Sequence, residues 1–342
     1  MARIGSGGMA EVWRADAVFE DGDRHPVAIK RVLPELASQE LYRSMFEDEA
    51  RLGMLLRHPN IVRVHDAREA AETLIMVMEL VDGTSLRSLL AKAHRRRASM
   101  PVATALFIGR ELAKALDYAH LAKDPQGRPL GIIHRDVSPH NLLLSRAGGV
   151  KLTDFGLADA SVQQTQLDES LLGGKLGYLA PEILRDQAVT HRIDLFALGI
   201  VIWEMLCGQR LFSRDSDAET VRAVRECNVP PANRINPRIP PEVQRFLDDI
   251  LAPDPTVRVD SANTAVHRLD ALIREMDPDV GPRDVALLVG LHLARESLES
   301  PTAPPALSEA IAHELDAFAR QGRGQHPAIG AVPLDPNAFS TS

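Results

Sequence analysis

The chain has 342 residues, a length that predicts about two domains or lobes rather than one small core. Its formal net charge of −8 argues against a general binder of nucleic acid or of anionic membranes, because both partners favour a basic surface. Only Cys207 and Cys227 are present, too few for a disulfide framework or a tetrathiolate metal site, and this fits a protein of the reducing cytoplasm.

The N-terminal part of the sequence predicts strands around one helix. RIGSGG, EVWRADAV and PVAIKRVL are short β-type segments, and IVRVHDAR and LIMVMELV are two more. Between them, apolar residues recur every three or four positions from about Glu40 to Leu56, which predicts a helix that ends before Pro59.

After Asp82 and Gly83 the pattern changes to helices. SLRSLLAKA, ATALFIGRELAKALDYAH and DLFALGIVIWEML have helical period and length. The apolar run at 195–206 is too short to cross a bilayer and carries Glu204, so we interpret it as a buried core helix and expect no membrane span. Two lobes of different class should therefore meet near residues 79–84.

Residues 277–342 are predicted to form a C-terminal tail, helical and proline-rich and partly disordered. SPTAPP at 300–305 has the composition of a linker, and ALSEAIAHELDAF at 306–318 places its apolar residues on one face of a helix. That helix would pack on its own domain, with partner binding as the alternative.

A glycine-rich turn, which contains Gly5, Gly7 and Gly8, lies between the first two predicted strands. Glycines let the backbone approach phosphate oxygens closely and present N–H groups to them. A plain hairpin turn has the same composition, so this motif alone is weak evidence for a phosphate site.

Lys30 lies among apolar residues on the next predicted strand, where a lysine usually points to water. An acid from the following helix would instead hold it towards phosphates. Glu49 is the favoured acid because of its spacing to the HPN motif at 58–60, and Glu47 and Asp48 are the alternatives.

Three polar residues later in the chain suggest metal and base chemistry. Asp136 and Asn141 lie in IIHRDVSPHNLLL, and Asp154 follows the strand VKLT. Mg²⁺ binds one or two carboxylates together with phosphate oxygens, so Asp154 and Asn141 are candidate metal ligands and Asp136 is a candidate base. Each acid alone is more typical of a turn or a helix cap. Together with the glycine loop, the lysine and the helix glutamate, they follow the order that phosphoryl transfer requires.

On these motifs the chain resembles the eukaryotic-like serine/threonine protein kinases, and the wording HRDVSPHN is similar to that of bacterial members. The resemblance runs from Arg3 to about Ile273. It implies an α+β, bilobal protein kinase fold. A small antiparallel sheet lobe with one helix would span residues 1–81, a larger and mainly helical lobe would span 82–276, and ATP would lie in the cleft.

The resemblance also implies two contacts in the larger lobe. In the family, the motif that matches Ala180-Pro181-Glu182 closes the activation segment, and its glutamate pairs with the arginine that matches Arg258. Asp194, at the start of the buried helix, matches the residue that braces the catalytic loop. Without the resemblance, Glu182 and Arg258 would be interpreted as two surface charges.

The resemblance further implies a nucleotide site. Val12 and Ala28 would cover one face of the adenine and Leu143 the other, with Met78 as gatekeeper. The predicted site is Ile4, Gly5, Gly7, Gly8, Val12, Ala28, Lys30, Met78, Glu79 and Val81 (through their backbone) and Leu143. The implied cofactors are ATP and Mg²⁺, with Mn²⁺ as a substitute. The implied partners are protein substrates and a second copy of the chain, in a homodimer for trans-autophosphorylation.

Arg135, directly before Asp136, implies control by a phosphate in the activation segment through a charge-assisted pair. The acids Asp168 and Glu169 would substitute for that phosphate in part. The candidate acceptors in the segment are Ser161, Thr165 and Ser170.

Two positions of the predicted active site depart from the family pattern. Ser138 stands where most serine/threonine kinases have a lysine that touches the transferring phosphate, and Gly174-Lys175 replaces the usual Gly-Thr. We hypothesise that Lys175 supplies the missing charge and Ser138 the missing hydroxyl; the alternative is that Lys175 is a solvated loop residue. Loss of one preorganised donor typically slows a reaction by ~10²–10³, so a slow-to-normal enzyme is expected rather than an inactive one.

Two milder departures concern the N-terminus. Ala10 replaces the third glycine of the loop, and the first strand looks truncated. We expect the true start codon to lie upstream of Met1, and the alternative is that the first strand is frayed. The expected function is a protein serine/threonine kinase in intracellular signalling. The alternative is a pseudokinase that binds ATP or a partner; a small-molecule phosphotransferase is disfavoured by the Ala-Pro-Glu motif.

A run of basic residues, His94-Arg95-Arg96-Arg97, follows the first helix of the larger lobe. Such a run is usually a solvated face, and a docking patch for acidic substrates is the alternative.

Overall fold

An antiparallel five-stranded sheet forms the N-terminal lobe of the computed structural model, which describes residues 2–18, 24–70, 73–96, 98–155, 175–185 and 187–299. The strands are β1 (Ala2–Ser6), β2 (Ala10–Val18), β3 (Arg24–Val32), β4 (Val64–Ala70) and β5 (Thr73–Glu79). Their order in the sheet is β1-β2-β3-β5-β4.

Strand β5 is covered on both faces, which explains its continuous apolar sequence. Met76 packs in one buried cluster with Phe46, and Ile75 and Val77 pack in another with Trp13. Successive residues of a strand point to opposite faces, so a strand buried on both sides is apolar at every position.

One long helix packs against this sheet, as predicted. After the short helix α1 (Pro34–Ala37), helix α2 (Glu40–Leu55) packs against β4 and β5. Gly53 is required at their contact, because a Cβ there would lie 2.4 Å from Cγ2 of Val64. The helix ends one residue before the predicted limit at Leu56, whose amide still bonds to Leu52 O at 3.1 Å.

Strand β4 begins three residues later than predicted. Ile61 forms a bridge with Leu152 of the other lobe, and the amide of Val62 donates to Leu152 O at 2.9 Å. These two residues therefore connect the lobes instead of extending β4.

Helices and one small sheet form the C-terminal lobe. The sheet contains β6 (Gly83–Ser85), β7 (Leu142–Ser145) and β8 (Val150–Leu152). The helices are α3 (Leu86–Arg96), α4 (Val102–His120), α5 (Arg192–Cys207), α6 (Asp217–Glu226), α7 (Ala232–Ile235), α8 (Pro241–Ile250), α9 (Ala262–Met276) and α10 (Pro282–Glu299). Helix α5 is buried on all sides, as its uninterrupted apolar sequence predicts. This architecture confirms the predicted α+β bilobal fold.

Strand β6 was not predicted, because its first residue is a glycine and its last was assigned to the next helix. A Cβ on Gly83 would lie 1.9 Å from Leu144 O, so only glycine allows β6 to pair with β7 at this position. Helix α3 consequently begins at Leu86, one residue after the predicted start.

The first part of the predicted tail is joined to the C-terminal lobe by α10. His292 of this helix is buried, and its Nε2 lies 3.0 Å from Oγ of Ser88 in α3. The predicted linker at 300–305 and helix at 306–318 lie outside the described residues. Within the residues that the structure describes, no helix is long and apolar enough to span a membrane.

A buried ion pair joins the segment at 175–185 to the loop before α9. Nη1 and Nη2 of Arg258 donate to Oε1 and Oε2 of Glu182 at 2.6 and 3.0 Å. The guanidinium also lies 4.7 Å from the ring centroid of Phe196, and its Nε donates to Ala252 O at 3.0 Å. The two side chains are 0% and 1% exposed, so the contact that the resemblance implied is present and is not a surface pair.

Asp194, in the first turn of α5, holds the loop at 132–141. Its Oδ2 accepts from the amide of His134 and from Nε2 of His120, and its Oδ1 accepts from the amide of Arg135, each at 2.8 Å. Burial raises the pKa of Asp194, but the hydrogen bond and charge of His120 and the contacts with His134 lower it by more. The pKa therefore lies below its ordinary value of 3.8, and Asp194 holds the loop as a carboxylate.

Replacing Arg258 with methionine should destabilise the fold by about 3–5 kcal/mol, because Glu182 would remain as a buried charge without a partner. The free energy of unfolding is measured by urea denaturation. The matched control is Arg245→Met, which removes an exposed partner of Glu242 and should cost less than about 1 kcal/mol. Equal losses in the two variants would contradict a structural role for the buried pair.

Replacing Asp194 with asparagine should remove a pH-dependent part of the stability. Because the folded pKa is depressed, the contribution of the carboxylate is fully present above its ordinary pKa of 3.8 and is lost as the pH falls through the lower folded pKa. The difference in unfolding free energy between wild type and Asp194→Asn should be largest near neutral pH and shrink below 3.8. Urea denaturation over this range measures it, and a difference independent of pH would refute the assignment.

Candidate active site

Lys30 connects the two lobes through two carboxylates. Its Nζ, on β3, lies 2.5 Å from Oε1 of Glu49 in α2 and 2.8 Å from Oδ1 of Asp154, which follows β8. The alternative acids Glu47 and Asp48 pair with arginines of their own helix. The structure therefore brings Glu49 to Lys30, as the sequence favoured.

Burial and mutual attraction set the charges of these three groups. Burial lowers the pKa of Lys30, but Asp154 and Glu49 raise it by more, so Lys30 is a cation. Burial raises the pKa of Asp154, but Lys30 overcomes this and lowers it to about 2. Burial, together with the charge of Asp154, raises the pKa of Glu49 to about 8 against the opposing effect of Lys30. Lys30 is thus shared between two buried acids, of which Asp154 is the one held as a carboxylate.

The catalytic-loop acid Asp136 is contacted on one side by two donors. Nδ2 of Asn141 donates to its Oδ2 at 2.8 Å and to its backbone oxygen at 2.9 Å. Nζ of Lys175 donates to the same Oδ2. No donor from the described residues contacts Oδ1 of Asp136, which leaves this oxygen for another group.

The two predicted metal ligands lie next to each other. The amide of Thr153 donates to Asn141 O at 2.9 Å, and Asp154 is the next residue. Because Nδ2 of Asn141 is the donor to Asp136, its Oδ1 remains as an acceptor. A carboxylate and an amide oxygen fit Mg²⁺, which keeps few protein ligands and takes its others from phosphate and water.

Two residues of the site have a left-handed backbone, which costs free energy for residues other than glycine. Arg135 has φ 62° and Asp154 has φ 63°. Arg135 is fixed by its amide hydrogen bond to Asp194. These conformations turn the chain directly before Asp136 and at Asp154 itself.

His134 connects these two turns, a role that the sequence analysis missed. Its Nε2 lies 3.0 Å from Thr153 O, and its Nδ1 accepts from the amide of Asp136 at 3.2 Å. The ring also packs against Phe155, with centroids 4.5 Å apart. A neutral imidazole with its proton on Nε2 satisfies both hydrogen bonds. The only signal in the sequence was its place in the HRD wording.

The side-chain hydroxyl of Ser138 forms no hydrogen bond with the predicted catalytic groups, although its backbone oxygen accepts from the amide of Asn141 at 3.1 Å. The side chain of Ser138 is 1% exposed, and its Oγ has no hydrogen-bond partner among the described residues. The expected hydroxyl contact with Asp136 is therefore absent from this part of the chain. A hydroxyl directly on Cβ has a short reach, whereas the four methylenes of Lys175 carry its ammonium to Asp136.

The apolar residues of the predicted adenine site pack together in one cluster. Ala28 and Met78 are buried there, and Val12, Val81 and Leu143 are partly buried against them. The amide of Glu79 is already used, because it donates to Arg63 O at 2.8 Å. The predicted hydrogen bond between the Glu79 backbone and the adenine would therefore use the carbonyl oxygen of Glu79 and not its amide.

The glycine-rich turn connects β1 and β2. The amide of Gly7 donates to Ala10 O at 2.9 Å, and Ile4 is 52% exposed. A Cβ on Gly8 would meet no atom within 4 Å, so the backbone there is open to a ligand, whereas Gly5 pairs with Val12. Ala10 pairs with Val32 inside β2, a strand position that accepts a Cβ.

The predicted phosphorylation sites Ser161, Thr165 and Ser170, and the acids Asp168 and Glu169, lie outside the described residues. Arg135, the residue expected to bind their phosphate, is half-buried, and burial lowers its pKa.

Comparisons with known proteins agree with this geometry. Residues 1–269 match the family model of the protein kinase domain. The tyrosine-protein kinase MasK of Myxococcus xanthus is 32% identical over 337 residues, which cover 98% of this chain and 52% of MasK. The serine/threonine-protein kinase PrkC of Bacillus subtilis is 32% identical over 259 residues, which cover 76% of this chain and 38% of PrkC. The chain thus spans about half or less of the length of these relatives.

A solved structure shows the same architecture. The kinase domain of Mycobacterium tuberculosis PknI matches with a TM-score of 0.58 and 27% sequence identity, over 79% of this chain and 93% of that domain. The family model covers more than half of the chain. The chain therefore belongs to the protein kinase family, as its motifs predicted.

Proposed function

We propose that the protein is an ATP-dependent protein kinase that transfers the γ-phosphoryl group of ATP to serine or threonine hydroxyls of proteins. The observation that carries the proposal is the contact of Lys30 with both Glu49 and Asp154, because it assembles the phosphate-binding and metal-binding groups in one place. Relatives such as PrkC are serine/threonine kinases by name, and MasK is a tyrosine kinase by name, so the acceptor residue is part of the test.

In this proposal the residues act mainly by position and charge. Lys30, held by Glu49, binds phosphate oxygens of ATP. Asp154 and Asn141 hold Mg²⁺, for which Mn²⁺ is a substitute, and the metal neutralises charge on the phosphates. Oδ1 of Asp136 accepts the hydrogen bond of the acceptor hydroxyl and orients it. Phosphoryl transfer needs little covalent help from the protein, so positioning of this kind supplies most of the rate.

Lys175 takes the place of the missing catalytic-loop lysine in this proposal. Its ammonium lies against Asp136, where the transferring phosphoryl group and the acceptor hydroxyl meet. A cation about 4 Å from a phosphate charge is worth ~4 kcal/mol at an effective dielectric constant of 20. The hydroxyl of Ser138 is buried and has no hydrogen-bond partner among the described residues, so it has no catalytic role in this proposal.

Further proposals concern the molecule as a whole. Its two cysteines are both free and buried, which supports a cytoplasmic location. Autophosphorylation would occur between two copies of the chain. To test this, an active chain lengthened by a tag is mixed with the inactive Asp154→Asn chain, so that the two differ in size on a gel. Label on the inactive chain shows transfer between copies. A pseudokinase is not favoured, because all five catalytic and metal-binding residues are present: Lys30 contacts Glu49 and Asp154, and Asn141 contacts Asp136.

The purified chain should label itself with radioactive ATP and Mg²⁺, and Asp154→Asn should abolish the label because the site loses a metal-binding carboxylate. Acid hydrolysis of the product identifies the labelled residue. Phosphoserine or phosphothreonine supports the proposal, whereas phosphotyrosine alone would refute the assigned acceptor. An unlabelled wild type that still binds ATP would establish the pseudokinase.

Replacing Lys175 with alanine should lower kcat by ~10²–10³ and leave the Kd for ATP nearly unchanged, because the lost ammonium acts at the transferring group. Lys175→Arg, which keeps the charge, should retain more activity. The matched control is Lys123→Ala, an exposed lysine of the same lobe, which should behave as wild type. Wild-type activity of Lys175→Ala would show that Lys175 is an ordinary loop residue.

A further inference from the structure

A cavity of about 440 Å³ lies beside the catalytic loop, outside the nucleotide site. It is enclosed by the first turns of α3, the end of the loop at 132–141 and the segment that follows α5. None of its lining residues is acidic; they are Arg87, Leu90, Ala91, His94, His140, Arg210 and Ser213.

The positive charge of Arg87 is not neutralised by the part of the chain that the structure describes. Nη1 of Arg87 contacts Nε2 of His140, and within that part no carboxylate pairs with the guanidinium. A guanidinium carries only donors, so His140 is the acceptor in this contact. Its Nε2 accepts from Arg87, which places the ring proton on Nδ1.

That Nδ1 is a second unsatisfied group at the cavity. It is buried and has no hydrogen-bond partner among the described residues, and the same is true of Nε2 of His94. Arg210, across the cavity, is partly balanced, because its Nη1 donates to the hydroxyl of Tyr178 at 2.7 Å and its Nε lies 3.6 Å from Oε1 of Glu204. The lining therefore carries excess positive charge and a donor without an acceptor.

The cavity is within reach of a peptide bound at Asp136. His140 is four residues from Asp136, a separation of at most roughly 14 Å. The amide of Arg87 donates to Pro139 O at 2.8 Å, which fixes the start of α3 to the catalytic loop. Since an extended peptide rises about 3.3 Å per residue, a side chain at the cavity lies within about four residues of the acceptor hydroxyl.

We propose that this cavity binds an anionic side chain of the protein substrate, within about four residues of the phosphorylated position. The inference rests on the proposed kinase function and adds the substrate class. The anion is a carboxylate or a phosphate, since an arginine fork binds both. His94, the first residue of the basic run at 94–97, is part of this lining, and the proposal includes no other residue of that run.

The test compares serine peptides that carry glutamate, lysine or phosphoserine at each of the four positions on either side of the acceptor. Binding is measured by fluorescence anisotropy, and kcat/KM is measured on the same peptides. We expect the wild type to favour glutamate over lysine by about tenfold at one position or more. Tighter binding of phosphoserine than of glutamate identifies a phosphate as the ligand, and the reverse identifies a carboxylate.

Reversing one charge at the cavity distinguishes binding at Arg87 from an effect of the net charge of the protein. Arg87→Glu should reduce the glutamate-to-lysine ratio to about one or below, and Arg87→Gln should give an intermediate ratio with a smaller change in the fold. The matched control Arg245→Glu reverses a side chain that is 69% exposed on α8 and should keep the wild-type ratio.

Two outcomes would overturn the proposal: no preference of the wild type for anionic peptides in binding, or an unchanged preference in both Arg87 variants. Fluorescence anisotropy measures peptide binding without phosphoryl transfer. It therefore tests the cavity independently of the kinase function. Selective binding of acidic peptides without any phosphorylation would refute the kinase function and support the cavity assignment. Phosphorylation of the peptides without any preference for acidic ones would support the kinase function and refute the cavity assignment.

Discussion

The contact of Lys30 with Glu49 and Asp154 is the interaction on which the rest of the active site depends. Glu49 and Asp154 are 19 and 124 positions from Lys30 along the chain. Lys30 lies in the sheet, Glu49 in α2 and Asp154 in the C-terminal lobe. A buried cation with two buried acids is stable only while all three stay close, because separation would leave a charge without a partner. A charged contact therefore connects the sheet and α2 to the C-terminal lobe.

Asp136, Asn141 and Lys175 lie on loops, and buried acids of the C-terminal lobe fix those loops. Asp194 binds two consecutive amides, those of His134 and Arg135, and so fixes the backbone that precedes Asp136. Glu182, in the segment at 175–185, is bound instead by the guanidinium of Arg258. In each case the acid is charged, fully buried and satisfied by strong donors, which is the condition under which a buried charge orders a loop.

The sequence predicted the elements and the order of the site residues well, because periodicity and motif spacing report local structure. The choice of Glu49 over its neighbours is an example, since one helical step changes the direction of a side chain by 100°. Long-range contacts were less predictable. The bridge of Ile61 to Leu152 shortened β4, and nothing in the local pattern of IVRVHDAR indicated it. Likewise, adjacency in the motif could not show that Ser138 turns into the core while Lys175 reaches Asp136.

The distribution of charge connects catalysis with substrate choice. The chain as a whole is acidic, with a net charge of −8, and would repel an acidic substrate at long range. Screening at physiological salt limits that repulsion to roughly 8 Å, so local charges decide what binds at the cleft. Beside Asp136 those charges are Lys175, Arg87 and Arg210. His140, which contacts Arg87, adds no negative charge there, so the positive charge of Arg87 is available to a substrate.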